Sequence, residues 1–193
     1  MPRQREFDPN EALQTAIELF WEKGYYDSSV DEVVKRSGVA KYGIYGTFGT
    51  KRELFMKALN QYAGDRHRDI QRPIRNPDAS LPEIRAFFRQ APGMLTQENT
   101  RRGCLICNTG VELGNRDAEI NAFVNDFFSD IARVMQGCLE RSIVKGQIAA
   151  PEDVAGLATY LATEFRTALM LAASGVSRRQ IEKHLGIALR VLE

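Results

Sequence analysis

The chain has 193 residues, 44% of them hydrophobic, and its 26 lysines and arginines against 25 aspartates and glutamates leave a net charge of +1. That length can bury a substantial core and suits one small domain plus a larger one. Near-neutrality excludes binding to a polyanion by bulk charge, and the N-terminus lacks a basic, apolar and small-residue signal, so a cytoplasmic protein is expected.

Runs of alternating β-branched residues bounded by turns are missing, and an all-α chain is expected. The first helix starts at Asp8-Pro9-Asn10-Glu11, with Asp as cap, Pro in the first turn and Glu at the capping-box position. Ala12, Leu13, Ala16, Ile17 and Phe20 recur at helical spacing through Trp21, and Gly24 ends the helix. A second capping box, Ser29 with Glu32, opens a short helix with Val30, Val33 and Val34 on one face. Gly38 supplies a left-handed stop, and Val39 sits where a turn residue locks two helices. A helix from about Ala40 to Thr47 is too short to stand alone and must be held by its neighbours. Two short helices joined by a three- to four-residue turn with Gly form a helix-turn-helix.

From Val33 to Arg52 the chain carries Lys35, Arg36, Lys41, Lys51 and Arg52 and no acidic residue. Such a local patch favours phosphate contacts, with a basic solvated face as the alternative reading. Lys and Tyr on the second helix can donate to phosphates, and Thr or Tyr can reach base edges. SVDEVVKRSGVAKYGIYGTFGTKRELF resembles the N-terminal domain of TetR-family transcriptional repressors. Gly38, Val39, Lys41, Tyr45, Phe48, Lys51, Leu54 and Phe55 match that pattern position by position. Ala40 replaces its usual Ser, Ile44 its Leu, and Gly46 and Thr47 its bulky His or Tyr pair. The resemblance, together with the residue chemistry of the second helix, points to DNA contacts from Ser29, Lys41, Tyr42, Tyr45, Thr47 and Lys51. It also implies a small core of Phe20, Val34, Val39, Ile44, Tyr45 and Phe48, in which Tyr45 is either a buried structural residue or a base reader.

Thr50 and Glu53 cap a fourth helix with Leu54, Phe55, Ala58, Leu59 and Tyr62 on one face. Pro73 and Asn76-Pro77 mark the break after it. The expected domains are a DNA-binding domain over 7–67 and a helical ligand-binding and dimerisation domain over 68–193. Ser80 with Glu83 caps the next helix, whose face is Ile84, Phe87, Phe88, Ala91 and Leu95, with Pro92 kinking or ending it. A short helix over about Cys104 to Leu113 stops at Gly114-Asn115. Asp117 opens a long one with Ile120, Phe123, Val124, Phe127, Ile131, Val134, Met135 and Cys138 inward, ending near Gly146.

From Val154 to Ser174 only Glu164 and Arg166 are charged. One stripe is Val154, Leu157, Ala158, Leu161, Phe165, Leu169 and Ala172, and a second is Tyr160, Thr167 and Leu171. A helix apolar on more than one side must be buried on more than one side. A membrane span competes on length but is opposed by the mid-segment charges and threonines. Ser177 with Gln180 caps the last helix, which buries Ile181, Leu185, Ala188, Leu189 and Leu192. The spare faces imply a homodimer through 151–193, which is also what the resemblance implies for the last helix pair.

Cys104 and Cys107 form a C-x-x-C, and Cys138 stands apart. With only His67 and His184 and no second C-x-x-C, no metal site is expected. Cys104 follows Arg101, Arg102 and Gly103 at a helix start, where positive charge and the helix dipole favour a thiolate, and Cys107 is placed to resolve its oxidation. The plain alternative is small apolar residues in a helical core. No nucleophile elbow, phosphate-cradling loop, metal cluster or His-based dyad is present, so no catalytic residue and no cofactor are expected.

The expected protein is a ligand-responsive repressor that binds a pseudo-palindromic duplex operator as a homodimer and is released by a small apolar or aromatic effector. The effector pocket is expected among Phe87, Phe88, Cys107, Phe123, Phe127 and Phe165, for which simple core packing is the rival. The alternatives are a thiol-based redox or electrophile sensor of the same fold using Cys104 and Cys107, and a helical adaptor that binds no DNA.

Overall fold

The computed structural model describes residues 8–95 and 102–193, without the side chains of 66–68. Phe7, at the start of the expected first domain, and Arg101, one of the charges placed near Cys104, lie outside the described residues. Every regular element among those described is helical: α1 (Pro9–Lys23), α2 (Val30–Ser37), α3 (Lys41–Phe48), α4 (Lys51–Asp69), α5 (Leu81–Leu95), α6 (Leu105–Leu113), α7 (Ala118–Val144), α8 (Val154–Ala173), α9 (Arg178–Ala188) and a final 3-10 turn (Leu189–Leu192). The chain divides into two compact units, Met1–Gly64 and Asp65–Glu193.

In the first unit, α1 packs on α2 and α2 on α3. The core is aromatic: the Phe20 and Phe55 rings meet edge to face at 4.8 Å, Tyr25 and Phe55 at 4.9 Å, and Trp21 and Tyr62 at 5.3 Å. Phe20, Ile44, Leu54, Phe55 and Leu59 are fully buried. At about 1.5–3 kcal/mol for each large side chain, they hold helices of two turns that could not persist in water. The core differs from the expected set in three members. Val34 and Val39 are half-buried, and Tyr45 is 44% exposed, because the two turns of α3 spend their inward positions on Ile44 and Phe48.

In the second unit, α7 and α8 share the most extensive contact between described helices, and α9 packs on α5 and α8. The stretch before α5 is tied down by the basic end of α7. Arg141 Nε donates to the Ala79 carbonyl at 2.6 Å, and Lys145 Nζ to the Asp78 carbonyl at 2.9 Å. Pro92 does not end α5, which continues to Leu95. A helix-interior proline costs about 3 kcal/mol. Phe87, Phe88, Ala91 and Leu95, buried on both sides of Pro92, outweigh that cost. On α7, Phe123 and Val134 are half-buried rather than inward, and Phe128 and Leu139 join the core.

On α8, Leu161 and Phe165 are buried while Tyr160 is 39% exposed and Met170 47%. The second stripe is therefore largely open: Thr167 and Leu171 are half-buried beside Tyr160. On and after α9, Ile187 and Val191 are also about half exposed, at 51% and 50%. Among the described residues no helix is long and apolar enough to cross a membrane, so the membrane reading of residues 154–174 has no support.

Candidate nucleic-acid interface

The local sequence fixes α2 and α3 from both ends. Ser29 Oγ accepts the Glu32 N–H at 3.2 Å, and the Ser29 N–H donates to the Glu32 carboxylate at 3.1 Å. Gly38 turns the chain at φ 70°, a left-handed conformation costly for other residues. After Ala40, whose side chain caps nothing, α3 runs for eight residues to Gly49. Gly49 is required twice over: its φ is 79°, and a Cβ there would lie 2.2 Å from a Glu53 carboxylate oxygen. That carboxylate is engaged in the next cap, accepting the Thr50 N–H at 2.7 Å. Lys57, which the sequence does not single out, donates to the Thr47 carbonyl at 3.1 Å and so neutralises the carbonyl end of α3.

With Ile44 and Phe48 turned inward, α3 presents Lys41, Tyr42, Tyr45, Gly46 and Thr47 outward. Tyr42 is 85% exposed, a large aromatic ring with no packing role in its own unit. Gly46 is open as well, and a Cβ added there would meet nothing within 4 Å. An open groove of about 1130 Å³ runs between the start of α1 and this surface, lined by Thr15, Arg36, Ala40, Tyr42, Gly46 and Thr47 among others.

The basic window is less positive in space than in sequence, because neighbouring turns bring carboxylates to it. Lys41 Nζ pairs with Asp31 at 2.7 Å, and Arg36 with Glu22 at 2.7 Å. The hydrogen bond to Asp31 holds the Lys41 ammonium above its ordinary range. Lys51 lies 4.5 Å over the Tyr25 ring and reaches the Tyr26 carbonyl at 3.5 Å. Ser29 differs from the other expected contacts. Its hydroxyl and N–H are both engaged with Glu32, whose carboxylate also pairs with Lys23. Asp31, Tyr26 and Lys57 are the participants that sequence spacing missed, since their roles come from contacts between elements.

In the second unit the expected effector residues separate. Phe87 meets Phe88 edge to face and Phe165 at a tilt, at 5.4 and 4.7 Å between ring centres, inside the core. Phe127 pairs instead with Phe128 at 5.2 Å, and Phe123 stays half-buried. Cys104 stands at the N-terminal boundary of α6 without a side-chain capping bond and Cys107 lies one turn on, both buried and hydrogen-bonded to each other. That hydrogen bond, then burial and the Cys104 charge, hold the Cys107 thiol far above the usual thiol range, against the opposing pull of Arg166. Cys138 donates to the Ile74 carbonyl at 3.2 Å, and burial pushes it up also. No group of His, Cys, Asp and Glu among the described residues could hold a metal ion.

A model of bacterial regulatory proteins of the tetR family matches residues 12–58, and one of the tetracyclin repressor-like C-terminal domain matches residues 80–184. The chain is 26% identical to the uncharacterized HTH-type transcriptional regulator YezE of Bacillus subtilis strain 168 over 100% of both chains. It is 24% identical to the HTH-type transcriptional repressor ComR of Escherichia coli strain K12, covering 98% of this chain and 90% of ComR. Among solved structures, a cysteine mutant of the regulator CifR, complexed with 26-bp double-strand operator DNA, superposes with a TM-score of 0.85 at 25% identity, over 99% of this chain and 100% of that one.

Proposed function

The chain belongs to the tetR family of bacterial regulatory proteins and is a DNA-binding transcriptional regulator rather than an enzyme, and we propose that it represses from a pseudo-palindromic operator as a cytoplasmic homodimer, leaving the DNA when a small apolar or aromatic effector binds. The observation that carries this reading is α3, whose Ile44 and Phe48 anchor it while Lys41, Tyr42, Tyr45 and Thr47 face outward, where a major groove can reach them. Repression is also the activity named for ComR. The first unit, with α4 leading out of it, serves as the DNA-binding domain over 7–67. Residues 68–193 serve effector binding and dimerisation. The effector enters beside the Phe87, Phe88 and Phe165 cluster.

Selection from a randomised duplex library tests this reading. It should yield a two-fold symmetric site with half-sites about one helical turn apart. Recovery of random sequence would overturn it. In the selected site, Lys41→Ala is expected to weaken binding similarly across sequence variants and to lower the salt slope by about one. Binding measured across a salt series checks this, and an unchanged slope would remove Lys41 from the phosphate contacts.

A second reading, thiol sensing, is favoured by the Cys104–Cys107 hydrogen bond, which places two thiols together with Arg166 beside them. Attack then starts at Cys104, because Cys107 is held protonated. Peroxide should release wild type from the operator and leave Cys104→Ser bound. Equal footprints in all four combinations would leave effector control alone.

A further inference from the structure

α3 has little means of holding its own direction. It spans eight residues, includes Gly43 and Gly46, and starts at Ala40 with no side-chain cap. Its last turn has no basic residue to meet the carbonyls there. A helix this short is marginal in water, each glycine weakens it further, and its last carbonyls lack partners within the helix. Burial of Ile44 and Phe48 fixes which side faces inward. Apolar burial is non-directional, however, and does not set the tilt of the helix end.

The directional contact comes from α4. Lys57 Nζ donates to the Thr47 carbonyl at 3.1 Å, lies 3.5 Å from the Phe48 carbonyl and sits 5.5 Å from the centre of the Phe48 ring. One ammonium thus meets the negative end of the α3 dipole and the face of a residue that anchors the helix. Glu53, one turn back on α4, has another task. It caps the start of α4 through Thr50, and its hydrogen bonds from Thr50, then the Lys57 charge, hold its carboxylate below the ordinary range. Lys57 is itself exposed, so the core does not depend on its ammonium.

Thr47, whose carbonyl Lys57 holds, faces outward on the same helix as Tyr42 and Tyr45. Reading a base edge needs placement within about 0.5 Å, whereas phosphate contacts position a protein without reading sequence. We propose that Lys57 is a positioning residue for operator recognition: from α4 it holds the last turn of α3 so that Tyr45 and Thr47 meet base edges, and it touches no DNA itself. This rests on the reading that α3 enters a major groove.

Fluorescence-anisotropy titration of the full chain tests it, on the selected operator and on a random duplex of the same length. Lys57→Met keeps the stem over Phe48 and removes only the ammonium. It should weaken operator binding about fivefold, the scale of one helix-end contact. Random-duplex binding should stay within about twofold, and the salt slope on the operator should not change, unlike that of Lys41→Ala. Lys57→Ala carries the test if Lys57→Met misfolds, which circular dichroism detects. Equal weakening on both duplexes with a slope lowered by about one would make Lys57 a phosphate contact and overturn the proposal. So would unchanged operator affinity in a folded variant. A wild type that selects no operator would overturn the major-groove reading together with this inference, whereas the other two outcomes overturn this inference alone.

Discussion

A chain carrying Met170→Glu together with Ile187→Glu is expected to sediment as a folded monomer and to bind its operator about 100-fold or more weakly. Both side chains stand about half exposed, at 47% and 51%, beside Tyr160 and Val191. Four large apolar residues left open on α8, α9 and the final 3-10 turn are costly in water unless a second copy covers them. Two glutamates per subunit place four carboxylates in that contact, and each desolvated charge is worth more than the apolar area lost. The loss on DNA follows from avidity: a monomer holds one half-site and forfeits an effective concentration that multiplies affinity by about 10²–10⁴. Sedimentation velocity and a gel-shift titration check the two halves separately. A double variant that remains dimeric would move the interface elsewhere. Leu161 is the wrong target for this purpose, because it is fully buried and Leu161→Glu would unfold the second unit.

Ile44→Ala is expected to remove DNA binding by a different route. Ile44 is fully buried and, with Phe48, anchors α3. Truncating such a residue costs about 2–5 kcal/mol. A unit of some sixty residues has a stability of only a few kcal/mol, so the change consumes most of it. Circular dichroism on heating should then show an early partial transition for the first unit, followed by the main melt of the second. Ile44→Val should restore most binding, since it loses about 0.5–1.5 kcal/mol. A single unshifted transition for Ile44→Ala would show that α3 is held by other contacts.

The helix starts were legible in the sequence because capping is local chemistry. Ser29 with Glu32, Thr50 with Glu53, Ser80 with Glu83 and Ser177 with Gln180 all form their expected bonds, each within three residues of chain. The phase of a short helix was not legible. Two turns of α3 hold too few apolar residues to say that Tyr45 faces out while Ile44 faces in. Along α8, apolar residues on two sides announced burial without saying which side its own domain would take, and Leu161 fell inside while Tyr160 did not. The charge of the candidate site was hidden for a third reason. Asp31 and Glu22 lie outside the acid-free stretch and reach Lys41 and Arg36 only once α3 is packed on α2 and α2 on α1.

The vacancy at Gly46 bears on how such a regulator changes its target over generations. A Cβ added there meets nothing within 4 Å. A non-glycine residue also steadies a two-turn helix by about 0.5–1 kcal/mol. Most gains of function draw down stability. Here a single codon change that adds a new base contact would strengthen the fold at the same time. Repeated retargeting to new operators is therefore open to this lineage without compensating mutations elsewhere.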